Sequence, residues 1–198
     1  MKTIGLIGGL SWESSAVYYR IINETTRARL GGLHSARSLM YTVDFAEVER
    51  YQHADEWDKA TAIMVDAARR LERGGADVLV ICSNTMHKLA AELEQAVTLP
   101  LLHIADATAE RVKAQGIKRV GLLGTAFTME QAFYKGRLGE VHGLEVSLPT
   151  DEDRLEVHRI IYDELVQGRI EVQLEGNLYT GHARLGKSGC RRRDIGMY

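Results

Sequence analysis

Cys82 stands at the junction of two kinds of sequence. Before it, Val78-Leu79-Val80-Ile81 is an unbroken aliphatic run behind Gly74-Gly75-Ala76-Asp77, the pattern of a strand buried on both faces in a parallel sheet. After it, Ser83-Asn84-Thr85-Met86-His87-Lys88 leads into Leu89, Ala90, Leu93 and Val97 at helical spacing, with Glu92 and Glu94 toward solvent and Leu99-Pro100 as the stop. A thiol at the carboxyl end of a strand and just ahead of a helix lies where open α/β sheets bind ligands. Backbone N–H groups and the helix dipole there favour the thiolate and can hold a carboxylate. The chemistry open to Cys82 is proton transfer or nucleophilic attack; the competing reading is a small buried hydrophobe.

The elements that must position this cysteine alternate between buried strands and amphipathic helices. Hydrophobic runs predict strands over 4–7, 38–43, 101–104, 119–123 and 144–148. Helical periodicity predicts helices over 12–30, 57–73, 107–114, 127–138 and 155–166. In the first helix Ala16, Tyr19, Ile21 and Ile22 are expected inward, with Arg20, Glu24 and Arg27 outward. Such a βαβα order implies parallel sheets covered by helices.

Composition narrows the function classes. The 198-residue chain is long enough for one domain or two small ones. A formal net charge of -2 gives no sign of a nucleic-acid or acidic-membrane partner, and no stretch reaches membrane-spanning length. The two cysteines, Cys82 and Cys190, make no disulfide framework, and no leader sequence opens the chain, so a reducing cytoplasm is the expected compartment. Gly5-x-x-Gly8-Gly9 lacks the spacing of a dinucleotide fingerprint, and His87 has no companion ligands for a metal. His34, His103 and His158 read as hydrogen-bonded structural residues.

The chain also repeats itself. Ile4-Gly5-Leu6-Ile7-Gly8 aligns with Val120-Gly121-Leu122-Leu123-Gly124, 116 positions on, with glycines and aliphatics in step. Similarity at that period implies two α/β domains of like fold. The counterpart of Cys82 at that offset is Tyr198.

Several segments together resemble the aspartate/glutamate racemase family. They include Gly8-Gly9-Leu10-Ser11-Trp12-Glu13-Ser14, Leu30-Gly31-Gly32-Leu33-His34-Ser35-Ala36, Val43-Asp44-Phe45 and Cys82-Ser83-Asn84-Thr85-Met86-His87-Lys88. His103-Ile104-Ala105-Asp106, Thr128-Met129-Glu130 and Val157-His158-Arg159 extend the likeness to about residue 170. The resemblance implies an α/β fold of two pseudo-symmetric domains with parallel sheets flanked by helices and the active site in the interdomain cleft. It implies a small amino-acid substrate, no cofactor, no metal and a homodimer. On this reading residues 1–98 form the first domain and 99–170 an incomplete second one, with 171–198 a tail outside the family pattern.

Inverting an amino acid without a cofactor needs a base on one face of Cα and an acid on the other. The resemblance assigns one of these roles to Cys82, and to the backbone amides of Ser83, Asn84 and Thr85 the binding of the α-carboxylate and its developing charge. It adds Leu10, Ser11, Gln52 and Thr125 as substrate contacts, each of which also reads as turn or helix-cap chemistry. Glu156 occupies a place where a lysine is expected, which leaves the side-chain preference between aspartate and glutamate open. The alternatives are another isomerase of the same superfamily, of hydantoin racemase, maleate isomerase or arylmalonate decarboxylase type, and a non-catalytic ligand-binding remnant.

The family's second cysteine ends a hydrophobic strand reading Gly-Cys-Thr-Glu, and the sequence from Glu171 shows no such run. Cys190 falls short of the repeat offset and precedes Arg191-Arg192-Arg193, which reads as a solvated patch. The second domain is therefore expected to lack a central strand, and racemisation to be severely reduced. An out-of-frame tail is expected to account for this; the alternative is a natural, divergent C-terminus. Met197-Tyr198 is encoded ATG-TAY, which read one base later contains TGT, a cysteine codon. Asp194-Ile195-Gly196 encoded as GAT-ATT-GGG yields Ile-Leu-Gly before that cysteine in the same shifted frame. Sequencing the coding DNA is expected to show these codons and a base change near residue 170; any other codons at 194–198 sink the idea.

Overall fold

The computed structural model describes residues 1–169 and 195–196, which fall into two compact units, Met1–His103 and Ile104–Tyr198. The first runs β1 (Ile4–Gly8), α1 (Trp12–Leu30), β2 (Ser38–Thr42), α2 (Phe45–His53), α3 (Trp57–Arg73), β3 (Val78–Ile81), a tight 3-10 turn over Thr85–Leu89 and α4 (Ala90–Ala96). Its parallel sheet has the order β2-β1-β3. The strands are short and aliphatic because the sheet is covered: Ile7, Leu79 and Ile81 are wholly buried against the inner stripe of α3, which carries Ala60, Met64, Ala67, Ala68 and Leu71. Full burial of one such side chain contributes roughly 1.5–3 kcal/mol before conformational entropy is set against it.

Three features of this unit depart from expectation. First, α2 was not foreseen, although Asp44 followed by Glu47 is a helix-start signature; the Asp44 carboxylate accepts from the Ala46 N–H at 3.1 Å. Second, α1 does not bury the expected face. Its inner stripe is Ser15, Tyr18, Ile22 and Thr26, three or four residues apart, and Tyr19 and Ile21 remain 52% and 51% exposed. Third, the segment after Pro100 is no separate strand. The Leu102 N–H donates to the Leu79 carbonyl at 2.9 Å, making an isolated Leu79–Leu101 bridge on the edge of the first sheet, and Ile104 already opens a helix. The boundary expected at residue 98 accordingly lies after His103.

The second unit runs α5 (Ile104–Ala114), β4 (Arg119–Leu122), α6 (Ala126–Glu130), α7 (Ala132–Gly136), a wide turn over Arg137–Val141, β5 (Glu145–Ser147), α8 (Asp151–Asp163) and β6 (Ile195–Gly196). The expected single helix over 127–138 is broken where Gln131 turns extended, at ψ 155°. The Asp106 carboxylate then anchors the wide turn, receiving Arg137 Nε and Nη2 at 2.6 and 2.7 Å and lying 2.8 Å from His142 Nε2. Ala105, Ala109, Met129, Leu138 and Val157 form the core.

The parallel order here is β5-β4-β6, so the expectation of a missing third strand is corrected. Ile195–Gly196 pairs with Gly121 and Leu122, in the place that β3 holds beside β1. The registers agree as well, because Gly5 faces Leu79 and Gly121 faces Ile195, both 74 residues apart. Two residues of suitable phasing suffice for such pairing, since the bonds come from the backbone. Cys190 and, apart from Ile195–Gly196, the remainder of the tail from residue 171 lie outside the described residues.

Candidate functional site around Cys82

Cys82 follows β3 directly, and its backbone N–H donates to the Ile7 carbonyl at 2.9 Å, extending the β1–β3 ladder by one bond. Its own carbonyl accepts from the Ser14 hydroxyl of α1 at 3.0 Å. The thiol is fully buried. Burial pushes it up to about 12 from an ordinary value of 9.0. This corrects the expected thiolate. The segment after Cys82 is a 3-10 turn and then a seven-residue helix, not a long α-helix aimed at the sulfur, and desolvation of the anion prevails. At neutral pH Cys82 is a protonated thiol.

The loop after β1 forms the neighbouring wall. Gly9 has φ +82°, and a Cβ there would run into the Val43 carbonyl oxygen, so only glycine fits. Ser15 Oγ receives the Gly9 N–H at 3.0 Å and donates to the Ser11 carbonyl at 3.0 Å, closing the loop onto α1. Ser11 itself holds φ +42°, an uncommon conformation for a residue with a side chain. Its hydroxyl caps α1 by accepting the Ser14 N–H at 3.3 Å. Leu10 is part of the hydrophobic core, which leaves its backbone as its contribution to the loop surface.

The turn after Cys82 supplies the other groups. Ser83 and Asn84 are half-buried and Thr85 is buried. Among the described residues the backbone N–H groups of Ser83 and Asn84 have no acceptor. Gln52, buried on α2, donates from Nε2 to the Met86 sulfur at 2.9 Å and ties α2 to this turn. His87 Nδ1 lies 2.7 Å from the Ser83 carbonyl. Thus Leu10, Ser11, Gln52, Cys82, Ser83, Asn84 and Thr85 all belong to the first unit. Thr125 belongs to the second, where it caps α6 by accepting the Thr128 N–H at 3.3 Å. His158 Nδ1 accepts the Ala126 N–H beside it at 3.1 Å.

Sequence reasoning missed Ser14, Ser15 and His87. Ser11, Ser14 and Ser15 share one side of the α1 start at spacings of three and four, a signal present in the sequence. Among the described residues no group of three or more His, Cys, Asp or Glu side chains could hold a metal ion, and no helix is long and apolar enough to cross a membrane.

Comparison with known families matches residues 7–179 to the Asp/Glu/Hydantoin racemase family. The chain belongs to that family. The match includes the loop after β1 and the whole turn around Cys82. A Yersinia pestis protein, whose crystal structure is described as that of a candidate Asp/Glu racemase, is 52% identical with a TM-score of 0.87, over 96% of this chain and 82% of that one. An aspartate racemase homologue from Pyrococcus horikoshii OT3 is 34% identical with a TM-score of 0.79, over the same shares, 96% and 82%. The broad specificity amino-acid racemase RacX of Bacillus subtilis (strain 168) is 36% identical over 81 residues, 41% of this chain and 34% of that protein. The aligned stretch thus spans about a third of the length of that curated relative.

The buried thiol of this family member gives its stability a pH dependence. The unfolded thiol loses its proton above about 9 while the native one keeps it to about 12, so stability is fully present below 9 and declines as pH rises between these values. The slope is about 1.4 kcal/mol per pH unit. Urea unfolding at about pH 8 and pH 10 is expected to show a steeper fall for the native sequence than for Cys82→Ala; parallel falls would contradict the buried thiol.

Proposed function

We propose that the chain acts on aspartate or glutamate by cofactor-independent proton transfer at Cα, with Cys82 as the acid/base group of one face. The observation that carries this reading is the union of a buried, protonated thiol with two acceptor-free backbone N–H groups, those of Ser83 and Asn84, on the residues that follow it. The N–H groups would hold the α-carboxylate. As the Cα–H bond breaks, the proton passes to the thiolate form of Cys82 and the electron pair moves into that carboxylate as an enediolate, which the same N–H groups stabilise. The thiol form of Cys82 delivers a proton to Cα: the S–H bond breaks, the C–H bond forms and a thiolate remains. The reverse step uses that thiolate as base. Ser11, Gln52 and Thr125 are proposed as further substrate contacts, Leu10 through its backbone, and Ser14 as the group that holds the Cys82 peptide in place.

Full inversion needs a second group on the opposite face, and the sequence counterpart of Cys82 is Tyr198. The chain is therefore proposed to exchange the α-proton on one face with little or no racemisation, and the out-of-frame origin of its tail accounts for the loss. In deuterium oxide, one enantiomer of aspartate or glutamate is expected to gain deuterium at Cα with retention, at a rate rising about tenfold per pH unit below the thiol pKa, and Cys82→Ser is expected to abolish it. Binding of the amino acid by the folded chain without any exchange would sink the catalytic reading. Inversion dependent on Cys82 would instead reveal a second acid/base group in the chain.

A homodimer is part of the same proposal. Val17 and Ile21, one turn apart on α1, are both exposed on a helix whose inner stripe is already used. Light scattering is expected to give twice the chain mass, and Ile21→Glu half of that; an unchanged mass in the variant would place the interface elsewhere.

A further inference from the structure

The Ser83 carbonyl stands four residues before His87, where a regular α-helix would bond it to the His87 backbone N–H. Here that N–H goes to the Asn84 carbonyl at 3.1 Å, and the imidazole Nδ1 of the same residue takes the Ser83 carbonyl at 2.7 Å. His87 thus closes the turn twice. Its ring occupies the acceptor that α-helical bonding would have used, and Thr85–Leu89 tightens to 3-10 geometry. A carbonyl has no proton to give, so Nδ1 carries the hydrogen of this contact. The ring is buried, and the buried ring of His103 packs on it at 4.5 Å between centroids with a 58° tilt, restricting its rotation.

The consequence reaches the site through one peptide. In a trans peptide the C=O and the following N–H point in opposite directions. Holding the Ser83 oxygen toward His87 therefore turns the Asn84 N–H away from the His87 ring, and that N–H has no acceptor among the described residues. We propose that His87 is a positioning residue for the turn after Cys82, setting through the Ser83 carbonyl the direction in which the Asn84 N–H meets a carboxylate beside the thiol. The identity of that carboxylate as an amino-acid substrate rests on the racemase reading above; the positioning role itself does not need turnover.

Two substitutions separate this role from bulk packing. An asparagine places its amide nitrogen near the position of Nδ1, and a glutamine places it near that of Nε2. In a Cys190→Ser background, Cys82 is alkylated by iodoacetate, which carries a carboxylate, and in parallel by its neutral analogue iodoacetamide; the new S–C bond displaces iodide in both. A loosened turn that merely exposes the sulfur raises both rates alike and leaves their ratio unchanged. The ratio of iodoacetate to iodoacetamide rates is expected to fall about tenfold in His87→Gln and to stay within about threefold of the parent in His87→Asn. Long-range nitrogen–proton NMR correlations are expected to show the His87 proton on Nδ1. An equal ratio in all three chains, an equal loss in both variants, or an Nδ1 without a proton overturns the proposal. Absence of α-proton exchange in the parent with this ratio pattern intact would overturn the racemase reading alone, and exchange with a flat ratio the positioning role alone.

Discussion

Ile7 and Gly8, the last two residues of β1, present their carbonyls to opposite sides, and each takes the N–H of a residue that has just left a neighbouring strand. Ile7 receives Cys82 at 2.9 Å and Gly8 receives Val43 at 3.0 Å. These two bonds bring the ends of β2 and β3 to the end of β1, and the crossing is tight enough that Gly9 admits no side chain against the Val43 carbonyl. A one-residue slip of β3 would turn Leu79 and Ile81 out of the core and move Cys82 off the Ile7 carbonyl together. The packing of α3 on Ile7, Leu79 and Ile81 therefore secures the position of the thiol as well as the stability of the sheet.

Burial and reactivity pull the thiol in opposite directions. Desolvation keeps the proton on sulfur, and no charged partner offsets it among the causes that act on Cys82. A protonated thiol is a proton donor, and giving the proton up leaves the charge on sulfur, the state that burial disfavours. On the proposed reading, the backbone N–H groups of Ser83 and Asn84 would stabilise negative charge on the substrate without reorganising as it develops. The polar contacts at this end of the unit serve one purpose: Ser14 holds the Cys82 carbonyl, Ser15 closes the Gly9 loop, Gln52 meets Met86 and His87 holds the Ser83 carbonyl. They fix the peptides on either side of Cys82 and of the loop after β1.

The second unit shows how far a repeat can diverge while its backbone order persists. The segment 120–124, which begins within β4, matches β1 residue for residue in glycine and aliphatic placement, and each sheet has its first strand between the other two. The tail still supplies a third strand in register at Ile195–Gly196, although its composition is unlike that of Val78–Ile81. Ladder bonds ask little of side-chain identity; a proton-transfer site depends on it entirely, and at the repeat offset from Cys82 the chain carries a tyrosine.

Residue types and periods alone sufficed for the α/β class, the bounds of α1 and α3, the placement of Cys82 after a buried strand and the internal repeat, because burial patterns and glycine turns are local properties of the chain. The residues around Cys82 pointed to the family before any fold was in hand. Tertiary structure decided the rest. Which side of α1 faces the sheet depends on where β1 lies, and the most apolar residues of that helix turned out to be exposed. The break of the expected helix at Gln131 and the third strand in an unpromising tail depend on partners distant in sequence. So does the protonation of Cys82: a strand-to-helix junction reads as favouring the anion, but the sheet and helices that enclose the sulfur remove the water that an anion needs, and only the folded chain shows that this effect is the larger.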